Sequence, residues 1–230
     1  MKTVMRSPTF KKFNHELVVL PDLQTETING KRHYVVSEEK KLPSVTTVLS
    51  ATADMQWLKE WKDRIGEDEA ERQSTRAKNR GTALHNVCEK YVLNELKEPV
   101  ADPFAWSNFL PVKKQLDLHC DDVRLVEGCL WSERLKIAGR CDLIAAWKGK
   151  PAIIDYKTSG KEKDKSHITE YFLQASIYSY MFWERTGIFI NDIVILICVE
   201  NLPYAQVFEE KASTYIRRAQ ARIRAYEALS

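Results

Sequence analysis

The pattern of apolar and polar residues predicts an α/β protein. Runs typical of strands occupy much of the second half of the chain, at residues 123–132, 134–147, 151–157, 193–199 and 206–208. The unbroken apolar run at 193–199 is typical of a central strand that is buried on both faces. Apolar residues at spacings of three and four predict helices at 168–185 and 211–228. Together these elements predict a mixed central sheet flanked by helices.

The first half of the chain is predicted to be mostly helical. Residues 55–97 carry a helical pattern in which Gly66 and Gly81 are candidate breaks. Ser44 is the predicted N-cap at the start of this region, because its hydroxyl can accept a hydrogen bond from a free backbone amide. Residues 112–118 are predicted to form a short helix between prolines. This half therefore adds a helical N-terminal lobe to the sheet.

A hairpin is predicted near the N-terminus. Asn-Gly at 29–30 favours a two-residue turn, and the apolar runs 17–20 and 33–36 flank it. The length of 230 residues favours one domain with a sizeable core. We expect a single domain over residues 1–230, made of a peripheral segment (1–43), a helical lobe (44–120) and a core that carries the chemistry (121–230).

Composition narrows the class of protein. The chain is 44% hydrophobic and 29% charged, which is typical of a folded globular protein, and its net charge of +3 permits nucleic-acid binding. The five cysteines form no C-x-x-C pair, so neither a disulfide framework nor a zinc ribbon is expected, and reduced thiols in a cytoplasm-like compartment fit best. No apolar run reaches membrane-spanning length, and we expect no membrane association.

The first candidate chemistry comes from strand geometry. Lys148-Gly149 can form a two-residue turn between the strands on either side of it. In that register Asp142 lies directly opposite Asp155. Lys157 joins the same face, because residues two apart on a strand point the same way.

Two facing carboxylates repel each other, and this repulsion has to be relieved. Like charges about 4 Å apart repel by roughly 4 kcal/mol at an effective dielectric of 20. Either a shared proton or a bound divalent cation can relieve it. A site made only of oxygen ligands suits Mg²⁺ or Mn²⁺. An acid, an acid-x-Lys unit and a hard cation are the parts needed to hydrolyse a phosphodiester. Taken alone, however, Asp-x-Lys is more often a surface strand of alternating charges.

Further residues support the same site. His85 stands in a helical segment and can bind a metal or a phosphate, although a lone helical histidine is more often a surface or core residue. Gln174 and Tyr178 share a helix face, where Tyr178 can contact a nucleobase or simply pack in the core. Glu127, on the strand before Asp142, is either another acid near the metal or a solvated strand residue.

These residues carry a resemblance. The ordered motifs are Gly81-x-x-x-His85, Glu127, Gly139-x-x-Asp142, Asp155-x-Lys157 and Gln174-x-x-x-Tyr178. They resemble the motifs of RecB-type nucleases of the PD-(D/E)XK superfamily, whose fold is restriction-endonuclease-like. Residues 42–49 and 154–159 are similar to the branch that holds mitochondrial genome maintenance exonucleases and their phage-encoded relatives. The resemblance covers roughly residues 42–200.

The resemblance implies a role for each site residue. Metal ligands would be His85, Asp142, Asp155 and the backbone carbonyl of Tyr156, with Glu127 as an additional acid. Catalytic residues would be Asp142, Asp155, Lys157 and Gln174, and substrate-binding residues would be Tyr178, Thr158 and Ser159. The implied activity is that of a Mg²⁺- or Mn²⁺-dependent DNA exonuclease in DNA recombination or repair. It would hydrolyse single-stranded DNA from free ends and leave 5′-phosphates.

The chain also departs from parts of the wider family. The cysteines lack the spacing of an iron–sulfur cluster and no G-x-x-x-x-G-K-[ST] motif is present, so we expect neither that cluster nor a bound nucleotide. With no transit-peptide pattern, the expected setting is the cytoplasm of a bacterial or phage-infected cell. DNA is the expected partner, together with an unidentified single-strand-binding or recombination protein.

Two other functions fit the same residues. One is a structure-specific endonuclease and the other is a non-catalytic DNA-binding scaffold. The basic helix 211–228 and the charged loop 161–165 are candidate phosphate contacts, although an ordinary solvated face is favoured for the helix. Trp57 and Trp61 can stack on bases, but packing within the helical region is favoured for them.

Overall fold

The computed structural model describes residues 9–54 and 56–229. Its centre is a five-stranded mixed sheet in the order β4-β5-β6-β7-β8, in which only the β6–β7 pair is parallel. The strands of this sheet are β4 (Cys120–Ser132), β5 (Ile137–Trp147), β6 (Lys150–Ser159), β7 (Asp192–Val199) and β8 (Ala205–Lys211). The predicted mixed sheet flanked by helices is confirmed.

Helices cover both faces of the sheet. The described helices are α1 (Val45–Ala51), α2 (Gln56–Ile65), α3 (Glu67–Val92), α4 (Pro103–His119), α5 (Thr169–Thr186) and α6 (Ala212–Glu227), and a short 3-10 helix (Lys165–Ile168) precedes α5. Ile153 and Ile195 pack on the face covered by α1, α5 and α6, whereas Ile154 and Leu196 pack on the face covered by α3 and α4. Because β6 and β7 are buried on both faces, their sequences are continuous apolar runs.

The predicted register of β5 and β6 is confirmed. Lys148 and Gly149 both adopt positive φ (51° and 77°), as a turn of type I′ requires. The pairs run from Trp147–Lys150 to Leu143–Ile154. This register carries the two aspartates to the end of the paired segment, where the site lies.

The N-terminal hairpin forms, but with a different first strand. β1 (Thr25–Ile28) and β2 (Lys31–Ser37) flank the Asn29-Gly30 turn, and β3 (Lys40–Pro43) completes a small second sheet. A two-residue turn pairs the residues immediately beside it, so residues 17–20 lie too far from the turn to be its first strand. They extend along β4 instead, where the Val18 amide donates to the Arg124 carbonyl at 2.8 Å.

The helical lobe matches the prediction at its caps and departs from it in the interior. The Ser44 hydroxyl accepts from the Thr47 amide at 3.0 Å and caps α1 as expected. Gly66, at φ +83°, separates α2 from α3. Gly81 was wrongly predicted as a break, because the backbone of α3 runs helically through it. A glycine in mid-helix costs only about 1 kcal/mol relative to alanine, which neighbouring turns can absorb.

Helix α4 is longer than the predicted 112–118 segment. Asp102 caps it with bonds to the amides of Phe104 and Ala105, and Pro103 occupies the first position, where a missing N–H costs little. Pro111 lies inside the helix and is buried against the core. Proline was therefore a poor guide to the boundaries of this helix. No described helix combines the length and the apolar character needed to cross a membrane.

Candidate metal and nuclease site

Strands β5 and β6 part where the two aspartates stand. The last pair of their ladder is Leu143–Ile154. One residue further on, the Asp142 side chain intervenes, and its Oδ2 accepts from the Tyr156 amide at 2.9 Å. Asp142 and Asp155 are both buried, at 6% and 1% exposure. The strand register thus makes the aspartates neighbours, and the side chain of the first takes over a backbone hydrogen bond of the second strand.

Helix α3 presents His85 to this junction. Its Nε2 lies 2.9 Å from the Tyr156 carbonyl, and because a carbonyl only accepts, Nε2 is the donor. In the neutral imidazole the lone pair is then on Nδ1. That atom lies 3.4 Å from Glu127 Oε1 and 3.6 Å from Asp142 Oδ1. One ring nitrogen is fixed by the backbone while the other faces two carboxylates.

His85, Glu127 and Asp142 form a cluster of potential metal ligands. One ligand atom from each lies within 4.8 Å of the other two. Glu127 reaches the cluster from a left-handed backbone conformation, φ +44°, inside strand β4. Such a conformation in a residue other than glycine is uncommon and concentrates at functional sites. Glu127 is half-buried here, which differs from an ordinary solvated strand residue.

The charges of the cluster shift the pKa values of its members. Burial opposes protonation of His85, but the Asp142 and Glu127 carboxylates outweigh it and raise the pKa of His85 to about 9. Burial raises the pKa of Asp142, although His85 and Lys157 act in the opposite direction. The cluster therefore holds excess negative charge that a proton or a cation must balance.

Asp155 is held by Lys157 rather than by the three-residue cluster. The ammonium group of Lys157 forms an ion pair with Asp155 Oδ2 and lies 5.3 Å from the centre of the Tyr171 ring. Burial raises the pKa of Asp155 to about 6, against the pull of Lys157. Burial also disfavours the charge of Lys157, but Asp155 and Asp142 raise its pKa above the ordinary value. Lys157 therefore stays an ammonium at neutral pH.

The donors present fit a divalent cation. Asp155 Oδ1 is buried without a hydrogen-bond partner among the described residues, and the cluster adds two carboxylates and an imidazole nitrogen. This mixture of oxygen and nitrogen donors suits divalent ions such as Mn²⁺, and its carboxylates suit Mg²⁺. The Tyr156 carbonyl, a ligand implied by the resemblance, accepts from His85, and its role as a metal ligand stays a prediction.

Helix α5 supplies the opposite wall. Gln174 Nε2 donates to the Tyr178 hydroxyl at 3.1 Å, and both side chains line the same cleft as His85. Tyr178 is almost fully buried and packs over Gly139, where an added Cβ would lie 2.8 Å from the tyrosine ring. Gly139 is therefore the residue that lets the ring approach strand β5.

The cleft has a volume of about 920 Å³ and several cations on its wall. Besides Lys157, it is lined by Lys78 of α3, Arg32 of the hairpin and Arg140 of β5. Thr158 and Ser159 lie beyond the cleft wall: Thr158 Oγ1 faces Gly81, and Ser159 Oγ bonds to the Lys161 backbone at the loop. The predicted substrate contacts of these two residues stay predictions.

Some cleft residues were absent from the sequence-based set. Lys78 stands seven residues, about two helical turns, before His85, so helical spacing alone would have placed it on the same face. Arg140 lies inside the Gly139–Asp142 motif but had no assigned role. Arg32 and Asp22 come from the N-terminal segment, and no pattern in the sequence connects them to strands more than 90 residues away.

The other candidate nucleic-acid contacts are only partly free. Arg222 belongs to α6, the basic helix for which a solvated face was favoured, but it is bound to Thr52, Glu170 and the Leu49 carbonyl. The 161–165 loop is tied to β8, because Lys165 pairs with Glu210. Trp61 is half-buried, and the side chain of Trp57 lies outside the described residues.

Comparison with known proteins identifies relatives of the chain. The chain is 25% identical over 161 residues to mitochondrial genome maintenance exonuclease 1 of Mus musculus, covering 67% of this chain and 47% of the relative. It is 28% identical over 163 residues to the protein of the same name from Homo sapiens, covering 67% and 46%. The chain thus spans about half the length of these relatives.

A solved structure, that of SSO0001, matches only in part. It is 22% identical, with a TM-score of 0.27, and the match covers 39% of this chain and 41% of that one. The sequence model of the PD-(D/E)XK nuclease superfamily matches residues 32–190, a span that contains His85, Asp142, Asp155 and Lys157. Nucleases of this superfamily use divalent metals. The chain belongs to the PD-(D/E)XK nuclease superfamily.

Proposed function

We propose that this chain is a divalent-metal-dependent DNA exonuclease that hydrolyses single-stranded DNA from free ends and leaves 5′-phosphates. The observation that carries the proposal is the convergence of His85, Glu127, Asp142 and Lys157 in one cleft, whose wall also carries Arg32, Lys78 and Arg140. The exonuclease mode is supported by the names of the matched relatives. The cellular setting expected from the sequence stays a prediction, since those relatives are named for mitochondria.

His85 and the three acidic residues around it are the proposed metal ligands. His85, Glu127 and Asp142 would hold Mg²⁺ or Mn²⁺, and the free oxygen of Asp155 would complete the set. A divalent ion held there supplies Lewis acidity toward the phosphoryl oxygens and lowers the pKa of adjacent water. Glu127 and Asp142 keep the His85 ring charged until a cation displaces its proton. The proton and the cation therefore compensate the same carboxylates in turn.

Lys157 would act on the reacting phosphate itself. Its ammonium group lines the cleft, is fixed by Asp155, and can donate to a phosphoryl oxygen or orient the attacking water. Water attacks phosphorus, the bond from phosphorus to the 3′ oxygen breaks, and the products are a 3′-hydroxyl and a 5′-phosphate. Gln174 would contact the DNA from the opposite wall, and Tyr178 would hold Gln174 in place.

The test compares linear and closed circular single-stranded DNA of one sequence with Mg²⁺ or Mn²⁺. Linear strands labelled separately at each end should be degraded to 5′-phosphorylated products, while the circle survives. Degradation of the circle would support a structure-specific endonuclease. Binding of DNA without cleavage of either form, across pH and in both metals, would support a scaffold. Lack of cleavage by the matched Lys157→Ala variant excludes a contaminating nuclease.

A further inference from the structure

The backbone at Glu127 departs from its strand and needs support. Strand β4 pairs with β5 at Val126–Leu143 and again at Gly128–Cys141, and Glu127 between them is left without a partner in the ladder. Glu127 has φ +44°, a conformation that most residues other than glycine avoid. Such a conformation persists only where the surrounding structure holds it. The support must therefore come from a group that binds the backbone at this position.

Arg140 supplies that support. Its Nη1 donates to the Glu127 carbonyl, and its Nη2 donates to Asp22 Oδ1 at 2.6 Å. Arg140 is paired with Cys129 in the sheet, so its side chain runs back along β4 by two residues to reach Glu127. Asp22 also accepts from the Cys129 thiol at 3.1 Å, which ties the N-terminal segment to the same point.

We propose that Arg140 is a positioning residue for the metal site. By holding the left-handed backbone at Glu127, it directs the Glu127 carboxylate toward His85 and Asp142, and Asp22 fixes the guanidinium for that task. A guanidinium holds its N–H donors in a rigid planar fork, so that one terminal nitrogen binds the carbonyl and the other the carboxylate, whereas a lysine offers a single nitrogen. The inference rests on the proposed function, because it takes the three-residue cluster to be the metal site.

A different role for Arg140 makes different predictions. The Arg140 side chain is 37% exposed and lines the cleft, so a DNA phosphate could bind it directly. A phosphate contact requires only positive charge, which lysine retains. A positioning role requires the fork, and it acts on metal binding even when no DNA is present.

The experiment measures Mn²⁺ binding to the full chain by calorimetry without DNA. Arg140→Ala and Arg140→Lys should each weaken Mn²⁺ binding by about 10- to 100-fold, the usual range for a residue that orients a metal ligand. Asp22→Asn should weaken it less, in the same direction. Arg134→Ala is the matched control, because Arg134 is an exposed arginine at the β4–β5 turn, over the Trp183 ring, and it should bind as the wild type does.

A double-mutant cycle separates positioning from general damage. If Arg140 acts through Glu127, Arg140→Ala should have little further effect on Mn²⁺ binding in a Glu127→Gln background. A full effect in that background, or wild-type binding by Arg140→Lys, would overturn the inference. If Arg140→Ala fails to fold, or Glu127→Gln binds too weakly to measure, Arg140→Lys and Asp22→Asn decide. If the wild-type chain binds no Mn²⁺, both the metal site and the inference are wrong. If the wild type binds Mn²⁺ and Arg140→Lys binds it equally well, only the inference is wrong.

Discussion

The two nitrogens of His85 have separate tasks. Nε2 donates to the Tyr156 carbonyl, which fixes the ring, while Nδ1 faces Glu127 and Asp142. Because those carboxylates raise the pKa of His85 to about 9, the metal-free site holds a proton on Nδ1 near neutral pH. A cation that binds Nδ1 has to displace that proton.

This competition predicts a pH-dependent stabilisation by metal. The pKa of His85 is 6.5 in the unfolded chain and about 9 in the fold. Its proton thus stabilises the metal-free fold below pH 6.5, and that contribution is lost as the pH rises through about 9. The rise in Tm caused by Mg²⁺, relative to EDTA, should be larger near pH 9 than near pH 6. His85→Asn should flatten the difference, and an equal rise at both pH values in the wild type would contradict the assignment.

Removing Lys157 should impair cleavage far more than DNA binding. We expect Lys157→Ala to lower the single-turnover cleavage rate by at least about 100-fold, the scale of one lost electrostatic group, while DNA affinity changes far less. Asp155→Ala should also abolish cleavage. Because Lys157→Ala leaves Asp155 buried without its ion pair, it should destabilise the metal-free protein by about 3 kcal/mol.

The control for this prediction lies on the same strand. Lys150, at the exposed start of β6, should tolerate replacement by alanine without loss of cleavage. Circular dichroism of each variant separates loss of chemistry from loss of folding. If Lys157→Ala and Asp155→Ala are both unfolded even with metal present, the two residues serve the structure rather than the reaction.

At the scale of elements, prediction succeeded where local chemistry decides the backbone. Lys148-Gly149 can be recognised as a turn because the pattern of adjacent strands leaves only two residues, and the register of Asp142 and Asp155 follows from it. The first half of helix α4 was missed because proline disfavours helices in general, whereas Pro111 is buried and tolerated within this one. The left-handed backbone at Glu127 has no sequence signal: the group that binds its carbonyl is Arg140 on the next strand, and Arg140 in turn binds Asp22, which is far away in the chain.

Two glycines test the packing of these elements, because replacing one should lower the stability of the fold and replacing the other should raise it. A Cβ on Gly139 would lie 2.8 Å from the Tyr178 ring and 3.1 Å from Val45, so Gly139→Ala should destabilise the fold by about 1–3 kcal/mol. Since Tyr178 holds Gln174, cleavage should fall as well. At Gly81 the nearest atom would be 3.9 Å away, so Gly81→Ala should stabilise helix α3 by roughly 0.5–1 kcal/mol.

Urea unfolding of the two glycine variants measures both effects. Tyr178→Phe is the comparator for Gly139→Ala, because it removes only the hydroxyl that accepts from Gln174. Cleavage by Tyr178→Phe should fall while the packing of the ring is preserved. Equal stability of Gly139→Ala and the wild type would mean that α5 can move away from strand β5 without cost.

At the scale of the whole molecule, the last helix is tied to the first. Arg222 of α6 donates through Nε to the Thr52 hydroxyl and through Nη1 to Glu170 of α5, both at 2.7 Å, and through Nη2 to the Leu49 carbonyl. Its side chain is only 16% exposed. The sequence favoured a solvated face for this basic helix, because helical periodicity cannot show that two other helices cover the position of Arg222.

The contacts of Arg222 predict that it stabilises the fold rather than binding DNA. Arg222→Ala removes three charge-assisted bonds, so it should destabilise the protein by about 2–4 kcal/mol, with DNA affinity per folded molecule unchanged. Arg218→Ala is the matched control: Arg218 is exposed on the same helix, and its loss should change stability by less than about 0.5 kcal/mol. If helix α6 instead binds phosphates, Arg218→Ala should weaken DNA binding and reduce its salt dependence by about one ion. Chemical unfolding and salt-titrated DNA binding of the same two variants therefore show whether α6 stabilises the fold or contacts the substrate.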